Sequence, residues 1–62
     1  MTWSFPQNLP DHDCNVIFVL TDGISIRDYR GVFHCKTKEF LYFDKPTVRI
    51  SPSVVLQWRY DR

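Results

Sequence analysis

The chain contains no alanine and only two glycines, Gly23 and Gly31. Alanine is the strongest helix former, so its absence removes the residue that most often fills helix interiors. Two isolated glycines exclude a glycine-rich phosphate cradle of the P-loop or dinucleotide-binding type. Long hydrophobic runs are missing too. The longest, Val16 to Leu20, is five residues, against the roughly 20 needed to cross a bilayer as a helix. No membrane association is therefore expected. No secretory leader is visible, so Cys14 and Cys35 are expected to be reduced thiols in a cytoplasmic compartment. Length is scarce as well: 62 residues make one domain, residues 1–62, which buries only about 60% of its unfolded surface.

Aromatic and β-branched side chains are plentiful. Ten residues are Phe, Tyr or Trp, and 14 are Val, Ile or Thr. These types fit pleated sheets and bury large areas. The expected fold is mainly β: a small bent antiparallel sheet or barrel-like roll of four or five strands. Residues 1–13 read as an extended arm packed on the sheet. Pro6 and Pro10 disfavour helix before them, and Trp3, Phe5 and Leu9 are apolar. Val16 to Leu20 is apolar on both parities, as a strand covered on both sides must be. Asp22-Gly23 marks a hairpin, with a second strand starting at Ile24. Ile24 and Ile26 fall on one parity and Tyr29, Gly31, Phe33 and Cys35 on the other, which predicts a bulge between Asp28 and Gly31. Lys36 to Lys38 is a polar turn. Phe40 to Phe43 is a third strand ended by Lys45-Pro46, and Thr47 to Ile50 a short fourth. Ser51-Pro52 could open a helix, but the alternation from Val54 to Tyr60 predicts a final strand.

Chemistry-bearing clusters are sparse. His12, Cys14, His34 and Cys35 make a count that zinc could use, but adjacent His34 and Cys35 point to opposite faces of a strand. No metal site and no cofactor are expected. A Cys14–Cys35 disulfide is conceivable if their strands pair, and the expected compartment argues against it. Asp11-His12-Asp13 has neither a nucleophile on a strained turn nor an oxyanion hole beside it. The expected protein is therefore not an enzyme.

Net charge is +1, yet residues 1–26 hold three acids and no Lys or Arg, while residues 27–62 hold all eight basic residues and four acids. This split reads either as solvated mixed surface or as two opposed faces. Arg27, Arg30, Lys36, Lys38, Arg59 and Tyr60 are the expected exposed partner-binding residues. Trp3 and Trp58 belong to the types that dominate interface hot spots, although Trp58 is in phase with Val54 and Leu56 and reads as core. A protein partner is the leading expectation. The alternative is single-stranded nucleic acid, because Arg27, Arg30, Lys36, Lys38, Lys45 and Arg49 are interleaved with Tyr29, Phe33, Phe40 and Tyr42. A sequence pI near 7.8 falls short of the usual basic signature. Self-association through an open sheet edge is a third expectation.

An early Trp3, then Leu9-Pro10, an apolar strand leading to Asp22-Gly23, Gly31-Val32-Phe33 and a late Trp58 together resemble a family of short, uncharacterised phage and prophage proteins. The resemblance spans most of the chain. It departs at Gln57, where the family has His, and at Arg59-Tyr60-Asp61-Arg62, where the family has a proline-rich end. The family carries no established activity, so no residue role transfers. The resemblance implies a small accessory protein of a phage, acting in the host cytoplasm by binding, and modulating or inhibiting, a host protein.

Overall fold

In a computed structural model the protein is an open antiparallel sheet of five strands. The structure describes residues 2–45 and 47–61. The strands are β1 (Cys14–Thr21), β2 (Ile26–His34), β3 (Glu39–Tyr42), β4 (Arg49–Ile50) and β5 (Gln57–Tyr60). Their spatial order is β4-β3-β2-β1-β5. Four strands thus meander, and the chain then returns to lie beside the first. The return runs through a single 3-10 turn, Pro52–Val54, capped by the Ser51 hydroxyl accepting from the Ser53 amide. The predicted final strand from Val54 is therefore split. Ser51-Pro52 does open a turn, and only Gln57–Tyr60 pairs with β1. The expected end of β3 at Lys45-Pro46 lies partly outside the described residues, since Pro46 is not among them.

One face of the sheet carries the core. Val16, Phe18, Phe33 and Phe40 are fully shielded from solvent, joined by Ile50, Val55 and Trp58. Ile50 lies on one edge strand and Trp58 on the other, so sharing one cluster requires the sheet to curl. The Phe18 ring packs 5.3 Å from Phe40 and 5.7 Å from Tyr42, and Phe33 packs 5.0 Å from Phe40. On the opposite face Ile17 and Val19 are buried as well. Arg30 and Arg59 stand directly opposite Ile17 on the two neighbouring strands, where long aliphatic stems can cover an apolar residue while their charged ends stay wet.

Three expectations need correction. The register from Cys14↔Phe33 to Thr21↔Ile26 is unbroken, so there is no bulge near Asp28 to Gly31. The bulge was required only if Ile24 and Ile26 were core, and they are 94% and 71% exposed. The second strand begins at Ile26, because residues 22–25 form the hairpin loop. The arm, finally, packs only in part: Leu9 joins the core and Pro10 is buried, but Phe5 is exposed. The arm's firmest attachment is a two-way backbone pair between Ser4 and Trp58, at 2.7 and 2.9 Å. The Trp58 indole Nε1–H also donates to the Phe5 carbonyl at 3.3 Å.

The β1–β2 loop is tied by side chains. Asp22 Oδ1 accepts from the Ile24 and Ser25 amides at 2.8 Å each. Thr21 Oγ1 accepts from the Gly23 amide and donates to the Ser25 carbonyl, and Gly23 takes φ +93°. The amides of Ser25 and Ile24 hold the Asp22 carboxyl below the usual carboxylate range. A carboxyl depressed in the folded state stabilises it at neutral pH, and that contribution disappears as pH falls through the folded pKa. Asp22→Ala should therefore lower the melting temperature at pH 7. The gap between variant and wild type should close in acid, below about pH 4, where the unfolded carboxyl protonates. Paired thermal melts from pH 7 to pH 2 check this, and a gap that stays constant would show that the anchor does not depend on charge.

Candidate functional site: an aromatic groove beside an open strand edge

β2 is nine residues long and β3 only four. β3 pairs with β2 from Gly31↔Tyr42 to His34↔Glu39, and one further bond joins the Phe43 amide to the Arg30 carbonyl at 3.4 Å. Beyond that point the chain leaves the sheet. The first part of β2 therefore has β1 on one side and no strand on the other among the described residues.

A groove of about 510 Å³ lies where β3 departs, lined by Tyr29, Arg30, Tyr42, Phe43, Asp44 and Lys45. Tyr29 and Tyr42 come from the core face and meet edge to face at 5.2 Å. Both rings rest on Phe18, 6.1 and 5.7 Å away. Phe43 is half exposed, and Arg30, Asp44 and Lys45 supply charge of both signs at the rim. A second depression of about 350 Å³ shares Tyr29 and adds Leu20, Asp22 and Arg27. The surface is thus an apolar floor of aromatic rings with a polar rim, the usual composition of a recognition groove.

The six residues expected to bind a partner do not converge. Arg27 and Arg30 border the two grooves. Arg30 is exposed and only loosely paired with Asp61 at 3.8 Å. Lys36 and Lys38 lie in the β2–β3 turn at the far end of β2, on the order of 25 Å away at about 3.3 Å per residue. Arg59 stacks over the Trp3 ring at 5.0 Å. Tyr60 is half-buried, packed edge to face on Trp58 at 5.1 Å and stacked on His12 at 6.1 Å. Neither Arg59 nor Tyr60 is the exposed residue expected from its place near the chain end, because β5 is drawn in beside β1. The split of charge between the two halves of the chain does not become two faces either. β1, from the acidic half, lies between β2 and β5 from the basic half.

The residues that build the groove floor, Tyr29 and Tyr42, stood out in the sequence only as part of a mixed aromatic and basic pattern, and Phe43 did not stand out as a site residue. One signal was available. The three aromatic side chains that are fully buried are all Phe, whereas Tyr29, Tyr42 and Tyr60 are half-buried. A hydroxyl keeps one end of the ring near water.

Cys35 and His12 each have an aspartate partner. Asp13 Oδ1 accepts from the Cys35 amide at 2.8 Å, and this bond holds its carboxyl low. The same carboxylate accepts a hydrogen bond from the Cys35 thiol and pushes that thiol up, away from the nucleophilic thiolate form. His12 Nδ1 bonds Asp11 Oδ1 at 2.7 Å on the exposed surface. Neither Cys14 nor Cys35 is part of a disulfide. Among the described residues no three His, Cys, Asp or Glu side chains are grouped to hold a metal ion, and no helix is long and apolar enough to cross a membrane.

Compared with known proteins, the chain matches no family model, no curated protein and no solved structure.

Proposed function

We propose that the protein is a non-enzymatic protein-binding module, a phage-type modulator that binds a host protein in the host cytoplasm through the Tyr29–Tyr42–Phe43 groove. The observation that carries this reading is the half-exposed aromatic floor beside the open edge of the sheet. A half-exposed Phe43 next to the two floor tyrosines places contact area where anchors of binding energy usually sit. The phage context rests on the family resemblance of the sequence alone.

The test is capture from a bacterial lysate on the immobilised chain, with and without nuclease, against the double variant Arg27→Glu/Arg30→Glu. Both arginines are exposed at the groove rim, and an exposed ion pair such as Arg30–Asp61 contributes little to stability, so the variant should fold. The expected result is one stoichiometric protein that survives nuclease and is lost from the variant. Capture that disappears with nuclease would favour single-stranded nucleic acid instead. The specific observation behind that second reading is the pair of cations, Arg30 and Lys45, beside exposed rings. Its affinity should then fall steeply with salt.

A further inference from the structure

The hydrogen-bond parity of β2 decides what its open edge presents. Arg30 uses its carbonyl toward β3. On the far side of β1, Asn15 accepts from the Asp61 amide, so odd-numbered residues of β1 bond β5 and even-numbered ones bond β2. Bonding alternates along an antiparallel strand. Tyr29 and Arg27, opposite Phe18 and Leu20, therefore bond β1, while Ile26 and Asp28 point their amides and carbonyls outward. The space beside this stretch is in line with β3, and the stretch leads directly into Tyr29 and Arg30 of the groove.

We propose that the outer edge of β2 at Ile26–Asp28 accepts an extended peptide segment of the partner protein as an added strand, antiparallel to β2 and in line with β3. The inference rests on the protein-binding reading above and gives its chemistry. Unpaired strand edges recruit strands through main-chain bonds, and alternate side chains give specificity. Each peptide position is set by the residue opposite it. The residue opposite Tyr29 falls on the tyrosine floor and should be aromatic or aliphatic. The next, opposite Asp28, should be basic. The one after, opposite Arg27, should be acidic. The last, opposite the exposed Ile26, should be aliphatic. Read along the peptide, the pattern is aromatic, basic, acidic, aliphatic.

The probe is a synthetic hexapeptide, acetyl-Ser-Phe-Lys-Glu-Val-Thr-amide, titrated into the 15N-labelled full chain. The expected result is amide shift changes confined to residues 26–30 and 42–45, with slower hydrogen exchange at Ile26 and Asp28. The charge-swapped peptide Ser-Phe-Glu-Lys-Val-Thr should bind more weakly, and the double variant Arg27→Glu/Asp28→Lys should restore its binding. Asp28→Pro removes one outward donor without touching the β1 ladder, a tolerated use of proline at a strand edge. It should weaken peptide binding by about tenfold, clearly more than Asp28→Ala, which loses only an exposed charge contact. A thermal melt confirms that each variant is folded. The inference is overturned by any of three results: no shifts at millimolar peptide, shifts that Asp28→Pro leaves intact, or concentration-dependent dimerisation through this edge, which would assign it to a second copy of the chain. The wider reading fails separately. If Asp28→Pro still captures the same nuclease-resistant protein from lysate, protein binding stands and only strand addition falls.

Discussion

Gly31→Ala is expected to unfold the domain at ordinary temperatures. Gly31 faces the core between Val16 and Tyr42. A Cβ there would be driven into the Leu41 carbonyl oxygen and would lie 2.9 Å from both the Leu41 carbonyl carbon and Phe18 Cε1. Backbone cannot rotate away as a side chain can, so relief requires β3 to move off β2. Overpacking a rigid core costs about 1–3 kcal/mol and sometimes more, and a collision with backbone belongs above that range. A chain of this length has about 3–9 kcal/mol in total.

Gly23 supplies the internal control. A Cβ there meets nothing within 4 Å, but φ is +93°, so Gly23→Ala costs only the conformational penalty, on the order of 1 kcal/mol. Urea unfolding of the two variants should separate them clearly, with Gly31→Ala unfolded or nearly so in buffer. A Gly31→Ala variant as stable as Gly23→Ala would mean that β2 and β3 do not approach this closely.

Gly31 also explains why part of the fold was readable and part was not. The sequence demanded a curled sheet, because so short a chain has to bring both edges to one core. A bulge was the expected device, inferred from the change of parity between Ile26 and Tyr29. The close approach of β3 at a residue without a Cβ lets the strands pack tightly with no extra residue. The isoleucines misled because apolar character was equated with burial, and a hairpin tip can display apolar side chains at no folding cost. What local pattern controls was legible: β1 apolar on both parities, the Asp22-Gly23 turn, and the polar turn before Glu39. The Val54–Tyr60 alternation competes with a genuine Ser-Pro cap, and the cap prevails at Val54 and Val55, which belong to the 3-10 turn and its end rather than to the ladder with β1. The groove depends on β3 stopping five residues short of the hairpin loop while β2 continues. That is a relation of register between two strands, and no property of either segment alone expresses it. The dispersal of Arg27, Lys36 and Arg59 has the same origin, since their spacing in space follows from strand order rather than from distance along the chain.

Phe18 joins the stability of the domain to the shape of the groove, and two substitutions there should have distinct consequences. The ring is fully buried and touches Tyr29, Tyr42 and Phe40. It also lies opposite Trp58 across the β1–β5 ladder. Phe18→Ala removes the support of three aromatic rings at once, and such truncations cost about 3–5 kcal/mol. That is comparable to the whole stability of the domain, so the variant should be largely unfolded. Phe18→Leu keeps an apolar filling and should cost about 1–3 kcal/mol, leaving a folded chain with a lower melting temperature. In that folded variant Tyr29 and Tyr42 lose the flat surface beneath them. The edge-to-face geometry of the groove floor should loosen, while the outward amides of Ile26 and Asp28 stay in place. Partner affinity should then fall in proportion to the contribution of the aromatic floor, with the strand edge intact. Tyrosine ring resonances in the NMR spectrum, read together with partner binding at a temperature where Phe18→Leu is fully folded, measure that share directly. Unchanged affinity alongside altered tyrosine resonances would remove the aromatic floor from the binding surface and leave the edge of β2 as the element that recognises the partner.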